Sequence, residues 1–301
     1  MFIYLLFKLA AFLARHLPLR WGYTICRGIG SIIYRVSPVA WAARDNARHI
    51  LEAKAMGQTV DPKSVSRLAK QIFQSQVMNY YDMLRLSSMP AEELKDLVNF
   101  GGLEYVDKIL ASGTGLVLTS AHFGPMEILI QCTAQLGYPL VAIAERLKPD
   151  RLHDYMMQLR TAHGLELIPT DGPLLEAYRR LKRGEILASA LDRDTTDTGL
   201  IVPFLGAPAW VPDGYARIAV RTNLPVVLGY GLRTGQGVLT RLHPPLYPNP
   251  SLPPEEAVTD LVRQVINEFE GVIRTYPEQW LLSSPIWHLA AERSQKDEAS
   301  E

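Results

Sequence analysis

The stretch Gly115-Leu116-Val117-Leu118-Thr119-Ser120-Ala121-His122-Phe123-Gly124-Pro125-Met126-Glu127 decides the fold. Its first six residues form a short apolar run, the pattern of a buried strand. Residues 125–136 then read as a helix: Gly124 can cap it, Pro125 suits its first turn, and Gly137 follows its end. A strand feeding a helix through a tight turn is the unit of a parallel α/β sheet. His122 therefore belongs at the edge of a strand and Glu127 in the first helical turn, where open α/β sheets keep their active sites.

Working outward, the same alternation continues. Strands are expected at 141–144, 165–168, 186–191 and 225–230, with helices at 150–162, 173–182 and 214–222 between them. This predicts an α/β fold, a mostly parallel central sheet with right-handed crossovers and flanking helices. Residues 239–242 read as an edge strand. The Pro-, Gly- and Thr-rich stretch 192–213 is too long for an ordinary connection and reads as an active-site loop. Residues 244–254, with six prolines, read as an irregular surface loop, and 255–275 as a long amphipathic helix. Upstream, 40–89 has helical spacing, broken by a turn at Asp61-Pro62, and is expected to pack over the sheet. Within it Tyr80, Tyr81, Met83 and Leu84 form an apolar cluster, either core or the wall of an acyl-chain groove.

The N-terminus is apolar on all sides from Phe2 to Ala14 apart from Lys8. As a helix it would span about 20 Å, short of the roughly 30 Å hydrocarbon layer of a bilayer. It has no charged leader region and no clear small-residue cleavage site, which argues against a signal peptide. A buried core helix and a tilted span are alternatives. The reading that fits best is a monotopic segment with Arg15, Arg20, Trp21 and Tyr23 at headgroup level. The expected organisation is thus a membrane-associating helical segment over 1–35, an α/β domain over 36–290, and a charged, disordered tail over 291–301.

Of the 301 residues 48% are hydrophobic, enough for a sizeable core, and the formal net charge is zero, which argues against a general nucleic-acid binder. Two cysteines, Cys26 and Cys132, cannot make a disulfide framework, and no Cys/His spacing suggests a metal.

A histidine near its ordinary pKa can take a proton from a hydroxyl at neutral pH, and a carboxylate that holds the ring favours the imidazolium that forms. His122 and Glu127 could meet in this way, with the unpaired N–H groups at the helix start offered to a developing oxyanion. Spacing alone equally allows a satisfied loop histidine and a glutamate that only stabilises a helix start.

The residues around this pair resemble a known family. Phe100-Gly101-Gly102-Leu103-Glu104 leads into Gly113 to Gly124, and then come Ala144-Glu145-Arg146-Leu147-Lys148-Pro149, Asp192-Arg193-Asp194, Val202 to Ala209 and Tyr276-Pro277-Glu278-Gln279-Trp280. In that order they are similar to the blocks of the lysophospholipid acyltransferase superfamily, closest to its lipid A biosynthesis and phosphatidylinositol mannoside acyltransferase branch. The resemblance implies that His122 is the general base and that Glu127, in an H-x4-E motif, orients it. Pro125-Met126 stand where the branch usually has Asn-Trp.

The resemblance further implies acyl-CoA or acyl-carrier protein as donor, a membrane lipid as acceptor, no resident cofactor or metal, and a place at the inner face of the cytoplasmic membrane. Phe123, Gly124, Arg146, Lys148, Arg160, Asp192, Arg193 and Asp194 are the expected substrate-binding residues, the arginines because a planar guanidinium grips phosphate. For Arg193 a local ion pair is an even alternative, and Asp192 and Asp194 could only shape their turn. Arg217 is a further candidate, and Arg179, Arg180, Lys182 and Arg183 read as a solvated helix end or a lipid-facing one. The function expected is O-acyl transfer from the thioester to a glycolipid or lysolipid hydroxyl. A lipid hydrolase on the same scaffold and a catalytically silent lipid-binding protein are the alternatives.

Overall fold

The computed structural model describes residues 2–298 apart from 57, 171, 173, 195–197 and 235–236. Four helices come first: α1 (Phe2–His16), α2 (Leu19–Val36), α3 (Ala40–Lys54) and α4 (Pro62–Leu86). α4 starts where the sequence predicts: Pro62 sits in its first turn, and the side chain of Asp61 accepts the N–H of Lys63. The chain then alternates through α5 (Ala91–Asp96), β1 (Val98–Gly101), α6 (Leu103–Ala111), β2 (Leu116–Ser120), α7 (Met126–Gln135) and β3 (Leu140–Ala144). It continues with α8 (Asp150–Arg160), β4 (Glu166–Pro169), α9 (Leu174–Lys182) and β5 (Ile186–Ala190). β6 (Leu200–Phe204), β7 (Ala207–Val211), α10 (Gly214–Thr222), β8 (Val226–Thr234), β9 (Gly237–Leu242), α11 (Pro254–Thr275) and α12 (Ile286–Glu298) complete it.

Seven strands form one sheet in the order β1-β9-β8-β2-β5-β3-β4, parallel except for β8 with β9. The expected mostly parallel sheet with flanking helices is thus the fold. Strand β2 lies at its centre, buried on both faces, which is why it reads as a continuous apolar run. Its side chains alternate: Val117 packs with the cluster that includes α10 and α11, and Leu116 and Leu118 pack with Val106, Ile109 and Ile130 of α6 and α7. α11 buries Val258, Leu261, Val262, Val265, Ile266, Phe269 and Ile273 on one stripe, as its period predicts.

Three expectations are corrected. Residues 239–242 are not an edge: β9 lies between β1 and β8, so the edges are β1 and β4. The stretch 192–213 is not all loop but carries the antiparallel hairpin β6–β7. Its two turn residues, Leu205 and Gly206, both have positive φ, as a two-residue hairpin turn demands, but without the Asn-Gly signal that would have announced it. The tail is helical to Glu298, where α12 lies against β7 and the Arg293 guanidinium sits 3.8 Å from the centre of the Trp210 ring. Residues 299–301 lie outside the described residues.

In the cluster near Tyr81, core packing is what the structure has: Tyr81, Met83 and Leu84 are buried with Ala11 and Ala14 of α1 and Met156 and Leu159 of α8, and Tyr80 is exposed. α1 and α2 leave a broad apolar face uncovered, with Ile3, Leu9, Phe12, Trp21, Ile25 and Ile32 all exposed. Among the described residues no helix is long and apolar enough to cross a membrane. Both cysteines are buried and free.

Candidate active site

The site forms because β2 and β5 are neighbours in register. Thr119 pairs with Ser189 and Ser120 with Ala190, so the residues two steps beyond each strand, His122 and Asp192, emerge side by side at the same rim. Leu191 N–H bonds the Ser120 carbonyl, which carries the pairing one residue past the strands. The Asp192 carboxylate, fully buried, then takes three donors. Its Oδ1 lies 2.8 Å from His122 Nδ1. Its Oδ2 accepts the His122 backbone N–H at 2.9 Å and the Trp280 indole N–H at 2.8 Å. A carboxylate oxygen only accepts, so Nδ1 carries the ring proton and Nε2 is left as the basic nitrogen. Nε2 has no hydrogen-bond partner among the described residues, and the His122 side chain is 31% exposed.

Burial pulls the His122 pKa down, because it penalises the charged ring. The charge of Asp192 and its hydrogen bond push the other way and win against burial and the opposing guanidiniums of Arg193 and Arg160, so the imidazole ends above the ordinary histidine value. The result is a stronger base held in one tautomer.

A strap from the far end of the chain fixes the loop. Gly124 N–H donates to the Gln279 carbonyl at 2.7 Å, and Leu281 N–H to the His122 carbonyl at 2.6 Å. Gln279 itself bonds both backbone groups of Arg233 at the end of β8. Gly124 has φ +56, and a Cβ there would stand 2.0 Å from the Gly231 carbonyl oxygen, so the turn can pass this close to β8 only with glycine. No side chain among the described residues caps the first turn of α7, whose N–H groups lie at the helix's positive end.

The sequence reading of the pair is corrected on one point. Glu127 does not hold His122: the first turn of α7 aims it at α8, where both of its carboxylate oxygens lie 3.1–3.2 Å from Arg160 Nε in a largely buried pair. Asp192, expected as a substrate ligand, is the ring's partner instead and is fully buried. Arg160 is correspondingly taken up by Glu127 and only 16% exposed.

The other expected ligands divide. Phe123 is fully buried, edge-to-face on Tyr230 and Phe269, and is a core residue rather than a substrate contact. Gly124 spends its N–H on Gln279. Asp194 accepts from Gly199 N–H and the Trp210 indole, which ties down the β6–β7 hairpin. Arg193 makes the ion pair that was its alternative, 2.9 Å from Glu145 at the end of β3, with its guanidinium still half exposed. Arg146 is exposed beside Asp150, and Lys148 is exposed. Arg217 is held by Asp213 and Glu255. Trp280 was missed as a site residue; its place in the closing Pro-Glu-Gln-aromatic block was the available signal.

A cavity of about 500 Å³ lies between α2, α4 and the β8–β9 connection. Ile128 and Gln279 belong to its wall.

The comparisons with known proteins bear on the family. The family model for bacterial lipid A biosynthesis acyltransferases matches residues 1–288. The chain is 27% identical over 229 residues to a phosphatidylinositol mannoside acyltransferase of Mycobacterium tuberculosis (strain CDC 1551 / Oshkosh), covering 75% of this chain and 68% of the relative. It is 26% identical over 210 residues to a protein of the same name from Mycolicibacterium smegmatis, covering 68% and 67%. Among solved structures, the 1-acyl-sn-glycerophosphate acyltransferase PlsC of Thermotoga maritima aligns over 84% of this chain and 95% of its own at 16% identity, with a TM-score of 0.38. On the match along nearly its whole length, the chain belongs to the bacterial lipid A biosynthesis acyltransferase family and is an acyltransferase.

Proposed function

We propose that the chain moves a fatty acyl group from acyl-CoA or acyl-carrier protein to a hydroxyl of a glycolipid, with His122 as general base. Nε2 removes the hydroxyl proton as the acceptor oxygen attacks the thioester carbonyl. The new C–O bond leaves an oxyanion, which the uncapped N–H groups of α7 can stabilise. Collapse breaks the C–S bond, and the imidazolium returns its proton to the departing sulfur. Asp192 keeps the Nδ1 proton in place and stabilises the imidazolium throughout, and Trp280 fixes the carboxylate. No acyl-enzyme is needed, because no Ser or Cys lies in a nucleophile-elbow sequence.

The observation that carries this reading is the 2.8 Å contact between His122 Nδ1 and a fully buried carboxylate at a strand rim. The acceptor class rests on the names of the relatives. The uncovered apolar face of α1 and α2 supports a peripheral seat on a membrane, dipping into the headgroup layer, and the cytoplasmic face of the inner membrane is the side we propose. The test is mass spectrometry of membrane lipids from cells with the wild-type gene, without it, and with His122→Ala. A glycolipid that loses one acyl chain in both altered strains is the expected result. Full acylation with His122→Ala sinks the mechanism, and release of free fatty acid in place of transfer sinks the reaction.

A further inference from the structure

The cavity between α2, α4 and the β8–β9 rim is used by nothing described so far. It has a volume of about 500 Å³, within the size of pockets that take drug-sized ligands. Its apolar wall includes Met78, Leu86, Ile128 and Val238. Its polar wall is unusual in holding four guanidiniums, those of Arg20, Arg27, Arg85 and Arg233.

Among the described residues one of the four, Arg233, makes an ion pair with a carboxylate. Arg233, 11% exposed, is paired with the buried Asp82, and the Tyr23 hydroxyl donates to the same carboxylate at 2.8 Å. Arg85 donates hydrogen bonds to neutral acceptors, the Leu17 carbonyl at 3.0 Å and the Tyr81 hydroxyl at 3.2 Å, and its charge also acts on Asp82. Arg20 and Arg27 bond no side chain or carbonyl among the described residues. They stand seven residues apart with Tyr23 between them, on one face of α2, and all three line the cavity. Among the described residues Glu278 is the one carboxylate on the wall besides Asp82. An apolar recess with a surplus of forked cations at its mouth suits a ligand with both an apolar part and a phosphate.

We propose that this cavity binds a phosphoryl-bearing amphiphile, its phosphate among Arg20, Arg27 and Arg85 and its apolar part against Met78, Leu86, Ile128 and Val238. The phosphate can come from a lipid head or from a coenzyme, and the chemistry of recognition is shared. The site adjoins the catalytic loop, because Gln279 on its wall accepts the Gly124 N–H. It does not depend on what His122 does, and binding can be read without turnover.

The full chain in non-ionic detergent is titrated calorimetrically with dihexanoylphosphatidic acid, coenzyme A and inorganic phosphate, with dihexanoylglycerol as the phosphate-free control. Saturable binding of the lipid, of coenzyme A or of both is expected, roughly tenfold or more weaker in Arg20→Ala/Arg27→Ala and unchanged in Arg35→Ala/Arg67→Ala, exposed positions off the cavity. The arm that saturates identifies the source of the phosphate. Ser75→Phe, which fills the cavity without altering charge, is expected to weaken the same binding in a variant whose melting temperature shows it folded. Failure of every probe to saturate overturns the proposal. So does equal weakening by both arginine pairs, tight binding of dihexanoylglycerol, or inorganic phosphate binding as tightly as the larger ligands.

Discussion

Among the described residues the His122 ring has one hydrogen-bond partner, Asp192, whose charge raises the His122 pKa against burial and two guanidiniums. In the proposed mechanism His122 must be neutral to act, so the acid limb of kcat/KM is expected to follow the His122 pKa, which Asp192 holds above the ordinary histidine value. Asp192→Asn removes the raising charge. The limb is expected to move to lower pH, and kcat to fall by about 10²–10⁴-fold as the tautomer is lost. Glu127→Gln, acting on the Arg160 pair alone, is expected to leave the limb where it is, and steady-state rates across pH check both variants. If the limb moves with Glu127→Gln and stays with Asp192→Asn, the assignment of the ring's partner is wrong. Trp280→Phe removes one of the donors that hold Asp192. The carboxylate then pulls harder on the ring, so the limb is expected to move to higher pH, with kcat down roughly tenfold and KM unchanged. A merely structural role for the indole would lower thermal stability without shifting the limb.

At the scale of elements, the turn from β2 into α7 depends on one glycine. The φ of +56 at Gly124 and the 2.0 Å approach to the Gly231 carbonyl leave no room for a Cβ. Gly124→Ala is expected to destabilise the chain by about 1–3 kcal/mol and to lower its melting temperature, since the turn must back away from β8 or keep a strained conformation. Activity should fall further than the loss of folded protein explains, because the same turn carries His122. The hairpin β6–β7 shows the opposite case, an element that local signals hid. Pro203 faces Pro208 across it, and prolines are tolerated in a two-stranded ribbon that has two open edges. Charge alone suggests a disordered tail, but residues 291–298 continue α12, whose start is anchored where Trp287, buried, donates its indole N–H to the Phe204 carbonyl.

Over the whole molecule, one sheet with covered faces carries the chemistry while α1 and α2 present apolar side chains to the outside. Phe12 is 59% and Ile25 48% exposed, so charging both costs little packing. Phe12→Glu/Ile25→Glu is expected to keep the fold and to cut co-sedimentation with lipid vesicles by about tenfold or more, because the buried apolar area supplies the attraction. Unchanged sedimentation would show that another surface makes the contact.

Local chemistry along the chain determined the strands β2, β3, β5 and β8, the helices between them and the position of His122 at a rim, because buried strands and amphipathic helices announce themselves by period and by their glycines and prolines. It also determined which residue types could serve the reaction. The tertiary structure alone decided which of them meet. His122 and Asp192 are seventy residues apart, and only the β2–β5 register brings them together; Trp280 reaches the same carboxylate only because the strap crosses the rim. Glu127, five residues from His122, is the natural partner by spacing because spacing measures distance along the chain, whereas the direction of a side chain in a helix's first turn is set by what packs against it, here Arg160.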